Sequence, residues 1–298
     1  MTGLCSLIKR NCTLFFKDKG MFFTSLITPL ILLVLYATFL ANVFRDSFAS
    51  SMPQGVPVSA SLIDATVGGQ LVSSLMAVSC VTVSFCSNFL MVNDKVTGAK
   101  KDITMSPVKK STLALGYYLA TVISTLLVCT TALCLCLVYI AIVGWYFTFV
   151  DVLLLFVDMI LVVLFGTALS SIINIFLTSQ GQISAVGTIV SAGYGFICGA
   201  YMPISSFSEG LQKVLSFLPG TYATSLFRNH ALNGALREMA SEGFPAEVIE
   251  GIKDSIDCNL YFFGEKVSIL AMYLIVTITV LLLIGIYILL HVLRKKEK

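Results

Sequence analysis

Charged residues are distributed along the chain so that long stretches carry none. Between Lys19 and Arg45 lie 25 uncharged residues, and between Asp64 and Asp94 lie 29. From Ser111 to Val150 there are 40, and from Val152 to Ser208 a single charge, Asp158, interrupts the run. A helix needs roughly 20 apolar residues to cross the hydrocarbon core of a bilayer, where every backbone N–H and C=O must find its partner inside the segment. The pattern predicts an all-α integral membrane protein with six spans, over residues 20–44, 62–92, 113–143, 152–177, 183–200 and 266–292. The aromatic turn Gly144-Trp145-Tyr146-Phe147 separates the third span from the fourth, and the polar run Thr178 to Gln182 separates the fourth from the fifth.

Within these tracts the spacing of residue types adds detail. Residues 1–19 form an amphipathic stretch, with Leu4, Leu7, Ile8, Leu14 and Phe15 on one helical face and Lys9, Arg10, Thr13 and Lys17 on another. That reads either as an interfacial elbow helix or as a simple positive cluster that sets topology. The second span is rich in small hydrogen-bonding residues, Ser73, Ser84 and Asn88 among them, which either join helices or line a pathway. In the fifth, Gly187, Ser191, Gly195 and Gly199 recur every four residues and make a smooth stripe for close packing, against another span or a second subunit. Residues 202–263 form the largest piece between spans. Two short amphipathic helices are expected there, around Phe207–Leu218 and Pro245–Asp257, capping the outer mouth before an aromatic girdle at Tyr261, Phe262 and Phe263.

Composition agrees with lipid as the solvent: 57% of the 298 residues are hydrophobic and 12% charged, with a mean hydropathy of +0.93, where soluble domains carry about a quarter charged residues. Charge sets the orientation. The N-terminus, residues 91–112, residues 178–182 and the C-terminal tail hold thirteen basic and four acidic residues, a net +9; the rest of the chain holds six and twelve, a net −6. Basic loops stay cytoplasmic, so both termini are expected there. The basic balance is then a topology signal, with no nucleic-acid patch in it. The nine cysteines are expected to be packing residues, most of them in apolar or amphipathic helices, and the first apolar stretch an uncleaved span, too long for a signal peptide.

Little chemistry is on offer. No Gly-x-x-x-x-Gly-Lys-Ser/Thr loop is present to cradle nucleotide phosphates. His230 and His291 have no ligand-spaced partner, which argues against a metal site, and no nucleophile elbow or paired carboxylates lie in a span. Asp158 is the main ionisable group inside a span; one or two turns from its outer end, it reads as a hydrated boundary acid or as a group with a transport role.

The loop after the second span runs Asn93-Asp94-Lys95-Val96-Thr97-Gly98-Ala99-Lys100-Lys101-Asp102-Ile103-Thr104-Met105-Ser106-Pro107. Together with Gly199-Ala200-Tyr201-Met202-Pro203 and Leu218-Pro219-Gly220-Thr221-Tyr222, it resembles the type-2 ABC exporter permeases over essentially the whole chain. Where that family often carries two acids at the start of the loop, Asp94-Lys95 supplies one. The resemblance implies a membrane permease subunit of an exporter, without catalytic residues, cofactor or nucleotide site of its own. It implies a separate cytosolic ABC ATPase subunit that holds the ATP and Mg and docks on Asp94, Lys95, Gly98, Lys101, Asp102, Ser106 and Pro107. It also implies a second permease subunit, the same or related, and a bacterial plasma membrane. The cargo expected is amphipathic: lipid-like, a drug or a peptide. Two rivals stand beside it: a cargo-free, ATPase-linked assembly or signalling protein, and an ion-coupled secondary transporter using Asp158.

Overall fold

The computed structural model describes residues 2–35, 38, 45, 59–105 and 108–293. Helix α1 (Thr2–Lys17) is followed at once by α2 (Lys19–Leu35), because Asp18 between them accepts a hydrogen bond from the Met21 N–H at 3.1 Å and caps the second helix. Ser59 opens α3 (Ala60–Val96), its hydroxyl accepting from the Leu62 N–H. The short α4 (Ala99–Met105) follows, then α5 (Lys110–Val143). Thr148 and Asp151 close a capping box at the start of α6 (Phe149–Phe176). Beyond it come α7 (Gln180–Ile197), a 3₁₀ turn (Ile204–Ser206), α8 (Glu209–Leu215), α9 (Pro219–Ser241) and α10 (Ala246–Ser255). A two-stranded hairpin, β1 (Tyr261–Phe262) with β2 (Glu265–Lys266), leads into α11 (Ile269–Leu293).

Among the described residues four helices, α3, α5, α6 and α11, are long and apolar enough to cross a membrane. Six such spans were expected. The described part of α2 stops at Leu35, so most of the rest of span 20–44 lies outside the described residues. The 18 residues of α7 extend only about 27 Å, short of the roughly 30 Å hydrocarbon core.

Helix α3 is the axis of the bundle. Every residue from Ala65 to Phe85 is buried, with α5, α6, α9, α2 and α7 packed around it. Its polar composition follows from that position. Ser84 and Thr82 turn their hydroxyls back to the Cys80 and Val78 carbonyls, so these two side chains sit between helices with their hydrogen bonds met. Gly166 of α6 lets the two backbones close up: a Cβ there would sit 3.0 Å from the Val81 Cα. By contrast α5 and α11 turn Leu127, Val138 and Ile142, and Leu270, Leu281 and Leu289, outward as bare apolar faces suited to lipid.

The segment 202–263 departs most from expectation. Short helices do occur at Glu209–Leu215 and Ala246–Ser255, and Val248, Ile249, Ile252 and Ile256 do share a packed face, against Leu62, Leu232 and Phe244. Between them, however, runs the 23-residue α9, buried for most of its length among α3, α6 and α11. The segment is therefore not only a cap over the bundle; α9 is part of the bundle. Its polar residues have partners on other elements: Arg228 on Asp257, His230 on Asp158, and Asn233 on Asp151 at 2.6 Å.

Candidate functional site

Three consecutive side chains at the last turn of α3 point to different neighbours, because successive helical residues are about 100° apart. Asn93 accepts a hydrogen bond from Gln180 Nε2 at 2.7 Å, holding the start of α7. Asp94, buried, receives Arg10 Nη1 at 2.8 Å and Nη2 at 3.1 Å from α1, and the Tyr117 hydroxyl at 2.6 Å from α5. Lys95 donates to the carbonyls of Asn174, Ile175 and Leu177 at 2.6, 2.8 and 3.1 Å, placing its charge on the C-terminal end of α6, where helix carbonyls lack partners. The end of the central helix is thus bonded to α1, α5, α6 and α7 at one level. Hydrogen bonding to the Asp94 carboxylate holds the Arg10 guanidinium proton more tightly than usual, so Arg10 stays charged across ordinary pH.

Beyond this hub Thr97 caps α3, its hydroxyl and N–H both bonding the Asn93 carbonyl at 2.9 Å. Gly98 then takes φ +85°, a left-handed conformation that costs an L side chain about 1–2 kcal/mol. It turns the chain into α4, in which no residue is buried. Lys101 and Asp102 are exposed, and Met105 stands 86% exposed. Ser106 and Pro107 lie outside the described residues. Of the loop residues singled out in the sequence, then, Asp94 and Lys95 face inward as fasteners, while Gly98, Lys101 and Asp102 belong to the exposed turn and short helix that follow.

Helix α1 packs on α5 through Leu7, which meets Gly116, with Asn11 and Phe15 also buried; Leu14, expected on that face, is exposed. Neither Arg10 nor Tyr117 was expected to meet Asp94, since partners 84 and 23 residues away leave no local spacing signal. Asp94→Asn removes the charge that holds α1. Cys12, half-buried against the Ala120 carbonyl, is expected to react with a maleimide about fivefold faster, the change that ~1 kcal/mol produces. Exposed Cys5 serves as the internal standard and keeps its rate. An unchanged Cys12 rate would mean that the pair does not hold α1.

In the sequence Ser73, Ser84 and Asn88 read either as joining helices or as lining a pathway. Ser73 bonds its own helix at the Gln70 carbonyl, and Ser84 accepts from the Thr167 hydroxyl of α6. Asn88 donates to Ser170 and Ser171, both at 2.9 Å, and accepts from Thr121, joining α3 to α6 and α5. All three are buried and bonded within the bundle, which fits the joining of helices, one of the two roles read for them. Asp158, read as a hydrated boundary acid or as a group with a transport role, is 0% exposed: His230 Nδ1 of α9 lies 2.6 Å from Oδ2, and the Tyr273 hydroxyl of α11 donates to Oδ1. The stripe on α7 is covered largely by the chain itself. Gly187 faces Phe89, the Tyr201 ring lies over Gly195 and its hydroxyl reaches the Ser191 carbonyl, and Gly199, at φ +73°, backs onto Ile204.

All nine cysteines are free thiols, and burial pushes the Cys258 thiol up to about 12. Among the described residues no group of three or more His, Cys, Asp or Glu side chains is placed to hold a metal ion.

A search of the curated proteins finds no match. The family model described as ABC-2 family transporter protein matches residues 54–287, from just before α3 into the last turns of α11, and includes the hub and α4. A multi-pass membrane bundle built around a central polar helix, matched over well more than half its length, belongs to the ABC-2 family of transporter proteins, as a permease subunit.

Proposed function

We propose that this permease subunit works in an exporter, that a separate cytosolic ATPase holding ATP and Mg docks on α4, and that the hub at Asn93-Asp94-Lys95 carries the resulting displacement into the bundle. The observation that supports this is the contrast across Gly98: a seven-residue helix with nothing buried joins directly to the helix end most heavily bonded to its neighbours. A lever needs such a join, since force applied to a projecting helix is transmitted only where the next element is held by several others. A second copy, or a related permease, completes the pathway, and both termini lie in the cytoplasm, consistent with the +9 balance of the loops on that side. The membrane is a bacterial plasma membrane, and the cargo is amphipathic. On this reading Asp158 is structural, because both of its carboxylate oxygens are engaged by His230 and Tyr273.

The test is capture of the tagged chain in mild detergent, with ATPase activity assayed on what is retained. Wild type is expected to bring down a nucleotide-hydrolysing subunit. The double variant Asp102→Lys and Met105→Asp, confined to exposed positions of α4, is expected to retain at least about tenfold less, equivalent to ~1.4 kcal/mol, at equal membrane insertion. A wild-type chain that retains no nucleotide-binding partner would end this reading.

A further inference from the structure

At the end of the bundle opposite α4, a cleft of about 620 Å³ opens between the 3₁₀ turn and α8 on one side and the end of α10 with the β-hairpin on the other. That volume is in the range of sites for small molecules. Tyr222, Tyr261 and Phe263 supply aromatic surface and Leu260 an apolar patch.

The charges that line the cleft sort by partner. Asp257 is taken by Arg228 at 2.9 Å and by the Ile204 N–H at 2.6 Å. Glu209 and Lys213 stand one turn apart on α8, opposite charges at a spacing where they offset one another. Asp254 is different. Its Oδ1 accepts from Asn259 Nδ2 at 2.7 Å and from the Tyr261 hydroxyl at 3.0 Å, which fixes the carboxylate, and among the described residues it has no ion-pair partner. A positioned carboxylate beside aromatic rings is the arrangement that holds an organic cation, by ion pairing on one side and the ring faces on the other. A second feature marks the same place. Asp257 at φ +53° and Phe263 at φ +51° are the non-glycine residues with left-handed backbone among those described, and both line the cleft. Such conformations persist where the surroundings hold them, often at ligand sites.

We infer that this cleft binds an amphipathic organic cation, its cationic nitrogen against Asp254 and its apolar body against Tyr222, Leu260 and Phe263. The inference deepens the exporter reading and rests on it for direction: the cleft then lies on the exit side, and the cargo class narrows to cations with an apolar body.

The probe is ethidium, a fluorescent organic cation, titrated into the full-length chain in phosphatidylcholine nanodiscs, whose lipid carries no net charge. Wild type is expected to bind saturably. Asp254→Asn, which keeps an acceptor for Asn259 and Tyr261 but loses the charge, is expected to weaken binding about tenfold. Phe263→Gly, which keeps the left-handed backbone and removes the ring, weakens it as well. Glu242→Gln makes the same charge change on an exposed residue outside the cleft and leaves affinity unchanged. Absent saturable binding in wild type, or equal losses from Asp254→Asn and Glu242→Gln, overturns the assignment. Because no ATPase takes part, the two readings fail separately: ethidium binding without a captured ATPase removes the exporter and keeps the cleft, and the converse removes the cleft alone.

Discussion

Methionine in place of Arg228 is expected to destabilise the folded chain by about 3–5 kcal/mol, the range found when one partner of a buried ion pair is removed. Arg228 is 1% exposed and joins three elements: its Nη1 reaches Asp257 after α10, its Nη2 donates to the Gly199 carbonyl after α7, and its own backbone is in α9. Methionine fills a similar length of apolar space, so the loss is electrostatic more than steric. It leaves the Asp257 carboxylate enclosed with only the Ile204 and Ser205 N–H groups, at 2.6 and 3.4 Å, to stabilise it. Among the described residues the Arg228 Nε has no hydrogen-bond partner, so even the intact pair is incompletely compensated for the water it gave up. Removing both charges, Arg228→Met with Asp257→Asn, is therefore expected to recover more than half of the loss. The readout is thermal unfolding in detergent, followed by labelling of Cys258, a thiol that is buried beside this pair and unreactive while α9 and α10 stay packed. A single-variant loss below ~1 kcal/mol would show that the pair is hydrated and that α9 is not enclosed as described.

The adjacent glycines 68 and 69 should respond in opposite directions to alanine. Gly69→Ala is expected to cost about 1–3 kcal/mol and Gly68→Ala to be neutral or to stabilise by up to about 1 kcal/mol, measured by the same unfolding assay. Both lie in α3, where alanine is the better helix former. A Cβ at residue 68 would meet the Tyr139 ring at 3.7 Å and Ile140 at 3.8 Å, ordinary contacts that add dispersion. At residue 69 it would lie 2.6 Å from the Ala231 carbonyl oxygen and 2.9 Å from a Leu232 methyl, so α9 would have to move away from α3. A backbone carbonyl in a packed helix cannot rotate aside as a side chain can. Equal effects at the two positions would mean that α9 does not approach α3 this closely.

Both predictions concern α9, the element least legible in the chain. Its sequence, with Arg228, Asn229, His230, Asn233, Arg237 and Glu238, has the polarity of a loop. That polarity is real, but it is met by carboxylates at Asp257, Asp158 and Asp151, which are 29, 72 and 82 residues away along the chain. Hydropathy scores each residue by its cost in lipid when alone and cannot register a partner contributed by another helix. The same limit applies to Asp158: its place near the outer end of a span left a hydrated boundary acid and a transport role both open, whereas in the fold His230 and Tyr273 enclose it. It also left the loop after α3 undivided: Asp94, Lys95, Lys101 and Asp102 stood together as expected docking residues, whereas the first two bond to neighbouring helices and the last two are exposed.

What the sequence determined by itself is what depends on local composition. The helices α3, α5, α6 and α11 follow from apolar tracts long enough to satisfy their own backbone in lipid, and α4 is marked off by Gly98 and its run of charges. The order of the loop motifs was enough to point to the family that matches residues 54–287. Tertiary structure alone decided which helix lies at the centre, that α9 enters the bundle, and which charges are fasteners and which are exposed. Those outcomes rest on pairings between distant residues: in a low-dielectric interior a polar group is tolerable only with a partner, and the partner's identity exists only once the chain has folded.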